Sequence, residues 1–537
     1  MFDLILAGGT VIDGTCGARP VRADVGVHRG RITAVCDLRA VEARERIDAT
    51  ACWVTPGFID AHSHSDTYLL LEPDAPSKVS QGITTEVVGQ CGGSGVPALD
   101  DQCLASDWAA MIYPRCSGGR GRLRATGEPG STWRTVAEYR ALWEEVRPAV
   151  NAKLYVGHNT LRKGVMGYAP RPADAGETAR MIRNLEQALD EGASGLSTGL
   201  VYQPGKFALP DEVLKLASAA AARGAGYATH MRSEGDHLLE ALDEVLALTR
   251  ATGIRIQISH LKTAHPRNWH KIDAALERIE RARALGLAVY ADRYPYTFGA
   301  TELDMILPNW ASDGGPAVIL RTLDDPETRA RVVAELDAAE IDWSGVIVGG
   351  CYSSPSQAYC GSSLADAARQ RGETPGATAA WLIREGRAKT GAFFGGMSED
   401  NLRRIYRQPW VMVGSDASLR APTGVLGADH PHPRAYGTMP RFFRMAVDEG
   451  LMDASEAIHR MTGLPAEAFG LSERGRIAPG YHADVAVWDP TSFASTATYG
   501  APHCFATGMR HVVINGAVTY DNGRFTGRRS GIILHHT

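Results

Sequence analysis

The chain has 537 residues, of which 44% are hydrophobic and 22% are charged, and its formal net charge is −5. This length is too great for one small core and predicts one large domain with a smaller one, or two or three domains. The mildly negative charge, without a basic run, argues against nucleic acid as a partner. No stretch of about 18 uninterrupted apolar residues occurs, so no membrane partner is expected either.

Both ends of the chain have the pattern of short strands with glycine-rich turns. Residues 1–53 alternate apolar and polar positions, and residues 475–537 do the same around an Asn515-Gly516 pair, which is typical of a hairpin turn. We therefore expect the two ends to build one small β-domain together. The N-terminus has no basic segment followed by an apolar core, so it is interpreted as a first strand and not as a signal peptide.

Residues 54–474 alternate short apolar runs with amphipathic stretches, which predicts parallel strands joined by helices. Eight such runs fit a (β/α)8 barrel of the TIM type, with an open doubly wound sheet as the alternative. The candidate strands are residues 53–59, 83–88, 153–157, 192–196, 226–229, 254–259, 287–291 and 410–414. Candidate helices include residues 177–191, 211–223, 237–252 and 270–285.

Two segments are longer than ordinary connections between barrel elements. They lie near residues 98–150 and 297–405, after the second and seventh candidate strands. Insertions that follow barrel strands lie over the face where chemistry occurs, so each is predicted to be either a lid or a surface subdomain.

Residues that bind metals recur at the ends of the candidate strands. Because alternate side chains of a strand share a face, His62 and His64 offer two neighbouring imidazoles. The other strand-end candidates, in chain order, are Cys91, His158, His230, His260 and Asp416. A single strand-end histidine is usually structural, but the carboxyl ends of barrel strands converge, so the joint pattern predicts one metal site.

Thiolate and imidazole ligands favour Zn²⁺. Cys91, His230 and His260 offer one zinc a set of one thiolate and two imidazoles. His62 and His64, with Cys91 as a bridge, offer a possible second and weaker position. The carboxylate of Asp416 would act as general base and then as general acid.

The nine cysteines are scattered, odd in number and form no CxxC pair. A disulfide framework is therefore not expected, and a cytoplasmic location is favoured.

The order of these residues resembles the amidohydrolase superfamily, and longer strings closely resemble the D-aminoacylases, or N-acyl-D-amino-acid deacylases. The matching strings are PGFIDAHSHSD, GQCGGS, GHNTLR, GLSTGLVYQPG, ATHMRSEGD, ISHLK, DRYPYT, VMVGSD and HPRAYGTMPR. Many relatives bridge two metals with a carboxylated lysine on the fourth strand. That strand has no lysine here, and Cys91 matches the cysteine that D-aminoacylases carry on the second strand.

The resemblance implies a zinc-dependent hydrolase that cleaves the amide bond of a small molecule, an N-acyl-D-amino acid. It assigns the tightly held zinc to Cys91, His230 and His260, and proton transfer to Asp416. Lys262 and Tyr294 match residues that bind the substrate α-carboxylate, and Tyr202 matches another substrate contact.

One position departs from the family. Ala300 stands where a small hydroxyl residue is common, so either Thr301 takes over that contact or the contact is missing. Arg434 is expected either near the pocket or in a structural salt bridge.

Three functions remain open from the sequence. No arginine is evidently dedicated to an acidic side chain, so neutral or hydrophobic D-residues are the expected substrates. The same chemistry also suits a cyclic amide, a dipeptide with a D-residue or a carbamoyl compound. A metal-free scaffolding barrel would be expected to have lost ligands, and this chain keeps every expected one.

Overall fold

The computed structural model describes residues 1–99, 133–351 and 353–535. Most of the predicted first insertion, at residues 100–132, lies outside this range. The described strands are β1 Phe2–Val11, β2 Val21–His28, β3 Arg31–Cys36, β4 Ala43–Asp48, β5 Trp53–Pro56, β6 Phe58–Asp60, β7 Ile83–Val88, β8 Asn151–Gly157, β9 Gly195–Gly199, β10 Gly226–His230, β11 Ile256–Ile258, β12 Val289–Arg293, β13 Gly299–Glu302, β14 Val346–Val348, β15 Gly391–Phe394, β16 Val411–Val413, β17 Val485–Trp488, β18 Met509–Ile514, β19 Ala517–Asp521 and β20 Arg524–Phe525.

The described α-helices cover the barrel and fill the insertion. They are α1 Tyr68–Leu71, α2 Pro76–Val79, α3 Val136–Val146, α4 His158–Met166, α5 Ala175–Asp190, α6 Pro210–Ala221, α7 Leu238–Thr252, α8 Ile272–Ala284, α9 Asn309–Ser312, α10 Pro316–Asp324, α11 Pro326–Ala338, α12 Ser354–Gln357, α13 Leu364–Arg371, α14 Pro375–Glu385, α15 Glu399–Tyr406, α16 Arg434–Asp448, α17 Ala454–Met461 and α18 Gly463–Ala468.

Eight parallel strands form the barrel, in the order β16-β12-β11-β10-β9-β8-β7-β6. The first and last strands meet, because the Ala61 amide donates to Val413 O at 3.1 Å and the Asp416 amide donates to His62 O at 2.8 Å. The (β/α)8 prediction is therefore confirmed over the open doubly wound alternative. All eight strands are almost wholly buried, as expected for a parallel sheet covered by helices.

Two of the predicted strands have different bounds in the structure. The run at residues 53–59 divides at Gly57 into β5, which joins the terminal sheet, and β6, which begins the barrel. The fourth barrel strand is Gly195–Gly199, three residues later than its apolar run predicted. Amphipathic helices pack outside the strands. For example, α5 begins at a capping box in which Asp174 accepts from the Glu177 amide at 2.7 Å.

Both ends of the chain contribute to one sheet, as predicted. Its order is β20-β19-β18-β17-β5-β1-β2-β3. Along the edge of β1 that pairs with β5 at residues 10–11, β4 pairs with residues 2–7. A separate apolar core lies against this sheet. The last described residues leave this sheet and run onto the barrel, where the Leu534 amide donates to Ala152 O at 2.8 Å. The tail therefore covers the amino-terminal end of the barrel.

The insertion at residues 297–405 is a subdomain with its own core. It contains the three-stranded sheet β13-β15-β14 and helices α9 to α14. Thr301 on β13 and Phe393 on β15 both reach the cavity at the carboxyl end of the barrel. The subdomain thus supplies one wall of that cavity. No helix of the described residues is long and apolar enough to cross a membrane.

Candidate active site

Side chains from four barrel strands meet at one point. The sulfur of Cys91 lies 3.3 Å from Nε2 of His62 and 3.4 Å from Nε2 of His260. Oδ1 of Asp416 lies 3.3 Å from the same His62 nitrogen and 3.0 Å from Nε2 of His64. One ligand atom from each of four residues lies within 4.8 Å of the other three, which would allow all four to hold one metal ion: His62, Cys91, His260 and Asp416.

His230 joins the cluster through a residue that the sequence reasoning missed. Its Nε2 lies 3.3 Å from Oε2 of Glu234, while Oε1 of Glu234 accepts a hydrogen bond from Nδ1 of His260 at 2.8 Å. These three residues form a second group of potential ligands. His230 also lies beside the Cys91 sulfur. The string ATHMRSEGD offered a signal, since a carboxylate four residues after a candidate ligand can turn back toward it.

The turn that carries Cys91 is held by the fourth strand. Oγ of Ser197 on β9 accepts from the Gly92 amide at 3.1 Å and donates to Gly89 O at 2.5 Å. A Cβ at Gly199 would lie only 2.1 Å from the carbonyl oxygen of Cys91. Only glycine at this position allows β9 to approach the turn so closely. The strand that lacks the expected lysine thus supports the cysteine instead.

Three of the clustered residues have strained backbones. Cys91, His260 and Asp416 have φ values of 52°, 37° and 49°, in the left-handed region that favours glycine. Such conformations cost about 1–3 kcal/mol each and persist where the surrounding structure enforces them. Each one turns its side chain from a strand end into the barrel mouth.

Asp292 on β12 orients two of the histidines. Its Oδ2 accepts from Nδ1 of His62 at 3.3 Å, and its Oδ1 accepts from the His260 amide at 3.1 Å. Because Nδ1 of His62 is engaged in this way, Nε2 is the nitrogen that faces Cys91 and Asp416 and is placed to bind a metal. Gln257 fixes Asp292 in turn, by donating to Oδ2 at 2.5 Å.

The charges at this site suit a bound cation. Burial disfavours ionised histidine, but Glu234 and Cys91 raise the pKa of His230 to about 9. Burial would also raise the pKa of the Cys91 thiol, yet His62 and His260 lower it well below its usual range. A thiolate and three carboxylates (Glu234, Asp292 and Asp416) are therefore gathered in a buried space, where a divalent cation would balance them. The donor set fits zinc.

A buried charge network lies beneath the ligands. Nζ of Lys78 donates to Oδ2 of Asp60 at 2.8 Å, to Oγ of Ser415 at 3.0 Å and to Ala417 O at 2.9 Å. The same nitrogen lies 3.2 Å from Glu86, and neither it nor either carboxylate is exposed. The network ties the strand of His62 to the strand of Asp416.

A cavity of about 450 Å³ opens above the cluster. Tyr202 and Thr301 both line it, and Oγ1 of Thr301 donates to Oε2 of Glu302 at 3.1 Å. The substrate contact expected of Thr301 stays a prediction. Lys262 and Tyr294 are buried and do not line the cavity. Nζ of Lys262 lies 2.8 Å from Nδ1 of His260 and pairs with Glu234. The substrate-binding roles of Tyr202, Lys262 and Tyr294 stay predictions.

Two further expectations have an outcome. Arg434 lines the cavity and also forms a buried salt bridge, 2.8 Å from Oδ2 of Asp416, so both expectations for it apply. His158 does not join either ligand group. Its Nε2 bonds Oε1 of Glu212 at 2.8 Å, and Arg162 pairs with the same carboxylate. Its place after the third strand therefore reflects a structural network.

The fold is a closed (β/α)8 barrel, and thiolate, imidazole and carboxylate groups are buried at its carboxyl end. This combination is typical of a class of metal-dependent hydrolases. The chain belongs to the amidohydrolase family, whose model matches residues 45–520. A relative from Alcaligenes xylosoxydans xylosoxydans, an N-acyl-D-glutamate deacylase, is 38% identical over 520 residues, which are 97% of this chain and 94% of the relative.

Two solved structures place the chain more closely within the family. The crystal structure of D-aminoacylase is 35% identical with a TM-score of 0.82, covering 100% of both chains. The N-acyl-D-glutamate deacylase of Bordetella bronchiseptica, solved with zinc and a phosphonate inhibitor, is 34% identical with a TM-score of 0.81, covering 99% of both chains. Within the amidohydrolases, the chain is thus a member of the D-aminoacylase group.

Proposed function

We propose that this protein is a zinc-dependent hydrolase that cleaves N-acyl-D-amino acids into a D-amino acid and a carboxylate. The observation that carries this proposal is the convergence of Cys91, His62, His260 and Asp416 within reach of one ion at the mouth of the barrel. The activities named for its relatives support the choice of substrate.

Cys91, His230 and His260 would hold the tightly bound zinc, with His62 and His64 beside a second, weaker position. Glu234 and Asp416 are the carboxylates that group with these residues as potential ligands of an ion. When bound, zinc lowers the pKa of a coordinated water and polarises the scissile carbonyl. Proton transfer is carried out by a side chain of the protein itself.

Asp416 is the proton carrier in this proposal. Burial would raise the pKa of its carboxyl, but Arg434 and the neighbouring histidines lower it well below its usual range, so the group is ionised and can accept a proton from the attacking water. Its Oδ1 faces His62 and His64, whereas Oδ2 is held by Arg434. The same carboxyl then delivers the proton to the leaving amine.

The side chain of the preferred substrate is proposed to be neutral or hydrophobic. The cavity wall formed by the insertion carries one residue of each sign, Glu302 and Lys389, and Phe393 lies on the same wall. Two cations on this wall would attract an acidic side chain of the substrate. A cation and an anion together give no such selection.

The test is a substrate panel on the purified protein loaded with zinc. It contains the N-acetyl derivatives of D-methionine, D-leucine, D-glutamate and D-aspartate, their L-forms, and a hydantoin for the cyclic-amide alternative. The proposal expects D-selective release of amine, fastest for methionine and leucine. Absence of D-selective release would overturn it, and ring opening of the hydantoin alone would establish the alternative.

A cytoplasmic location is also proposed. The seven cysteines within the described residues are all unpaired, which supports a reducing compartment.

A further inference from the structure

One glutamine side chain at the active-site cavity has no hydrogen-bond partner among the residues that the structure describes. Gln90 lies directly before Cys91, is fully buried and lines the cavity. Neither its Oε1 nor its Nε2 makes a hydrogen bond. A buried carboxamide normally has its partners, because leaving them unmade costs free energy. This side chain therefore has both a donor and an acceptor available for a ligand.

A second glutamine on the same segment shows what a structural role requires. Gln81 is equally buried, but its Nε2 donates to Ser77 O at 2.7 Å and to Ala435 O at 3.0 Å. Its Oε1 accepts from the Met439 amide at 3.2 Å. Gln81 thus joins α2 to α16, whereas the Gln90 side chain bonds no other residue in the described part of the chain.

The position of Gln90 on the barrel indicates which part of the substrate it meets. It follows β7, which lies opposite β11 in the ring of eight strands. The insertion wall, with Glu302, Lys389 and Phe393, follows β12, the neighbour of β11 in that ring, and is proposed to meet the substrate side chain. With the scissile carbonyl at the ligands and the amino-acid part at that wall, the acyl group extends toward Gln90.

The neighbouring wall is polar. Asp66, Thr67, Ser94 and Thr160, which follow β6, β7 and β8, line the cavity with Gln90. Several of them are engaged within the protein: Oγ of Ser94 donates to Val96 O at 2.7 Å, and the Gly95 amide donates to Asp66. A plain alkyl chain would leave the Gln90 carboxamide desolvated and unpaired.

We propose that Gln90 forms a polar acyl-binding subsite, which selects acyl groups with a hydroxyl group on the carbon next to the carbonyl. The inference rests on the proposed deacylase function and names the acyl class that it takes. A hydroxyl can donate to Oε1 and accept from Nε2, so it supplies the two partners that the carboxamide lacks. Gln90 directly precedes Cys91 in the sequence, so the proposed subsite adjoins the metal ligands and favours a short acyl group.

The test uses two nearly isosteric substrates, N-glycolyl-D-methionine and N-propionyl-D-methionine, which differ by a hydroxyl in place of a methyl. The zinc-loaded wild type is expected to prefer the glycolyl substrate at least tenfold in kcat/KM, as a site built to bind a hydroxyl does. In Gln90→Met the preference should vanish. Gln81→Met is the matched control, and it should keep the preference.

Thermal melting separates this role from a structural one. Gln90→Met should melt no lower than wild type, because an unpaired buried amide is replaced by an apolar chain of similar shape. Gln81→Met should melt several degrees lower, because three hydrogen bonds are lost. Zinc content should be unchanged in Gln90→Met.

Three results would overturn the proposal: no glycolyl preference in the wild type, a preference that survives in Gln90→Met, or a Gln90→Met protein that melts as low as Gln81→Met. A wild type that cleaves N-acetyl-D-methionine but shows any of these leaves the deacylase function standing. A wild type that cleaves no N-acyl-D-amino acid overturns both.

Discussion

Oε1 of Glu234 accepts a hydrogen bond from Nδ1 of His260 at 2.8 Å and also pairs with Lys262. Burial would raise the pKa of this carboxyl, but Lys262, His230 and His260 lower it well below its usual range. Glu234 therefore holds the rings of two predicted zinc ligands with a full negative charge.

Replacing Glu234 tests that role. Glu234→Gln keeps the shape but loses the charge, so the affinity for zinc is expected to fall by about 10–100-fold, as for other residues that orient ligands. Competition with a chromophoric chelator measures this affinity. Glu244→Gln, which removes the partner of Arg232 at 2.9 Å, is the control and should bind zinc as wild type does. Equal affinities in the two variants would show that Glu234 does not support the ligands.

Asp416 is expected to carry the proton in catalysis. Asp416→Asn can still accept from Arg434 but cannot take a proton from water, so kcat/KM should fall by about 10²–10⁴-fold. Steady-state kinetics with the best substrate of the panel measures the loss. Zinc content is measured alongside, and a variant that has lost its metal would point to a ligand role for Asp416.

Lys78 is expected to be a large contributor to stability. Lys78→Met leaves the carboxylates of Asp60 and Glu86 buried without a cation, which should lower the free energy of unfolding by about 3–5 kcal/mol. Urea unfolding measures the change. The control is Lys215→Met, whose pair with Asp211 is exposed and should matter by less than about 1 kcal/mol. Similar midpoints for the two variants would contradict the prediction.

Asp304 in the insertion is expected to make stability depend on pH. Burial, with Glu302 nearby, raises the pKa of this carboxyl from 3.8 to about 7. As the pH rises from about 4 to 7 the unfolded chain loses this proton while the folded chain retains it, so stability falls, by about 4 kcal/mol at most. Melting temperature between pH 5 and pH 8 should therefore fall more steeply for wild type than for Asp304→Asn. Parallel curves would exclude the effect.

Strand-end chemistry was predictable because the barrel converts positions far apart in the sequence into one location. His62, Cys91, His260 and Asp416 each follow an apolar run, and the carboxyl ends of parallel strands meet at the mouth. The same rule also selected His158, whose ring turns to Glu212 instead. Local backbone angles, such as the positive φ of Cys91, determine the direction of a side chain after its strand. The periodicity of apolar residues does not predict these angles.

Residues that act through others were not predictable in this way. Glu234 and Lys78 lie on loops or short helices, and their roles appear only when distant segments are brought together. Gly57 divides β5 from β6 within one apolar run, because β5 pairs with β17 over 400 residues later. Pairing between strands so far apart in the sequence produces no periodic pattern of apolar residues that would reveal it.

The sheet formed by both ends of the chain has a consequence for biosynthesis. β1 and β5 leave the ribosome first, but β17 and β18, which complete their sheet, are among the last segments to emerge. At translation rates of about 5–20 residues per second, the opening strands wait tens of seconds with an unsatisfied edge. During that interval the open edge of β5 is a place where a nascent chain can pair with its neighbours on the same polysome.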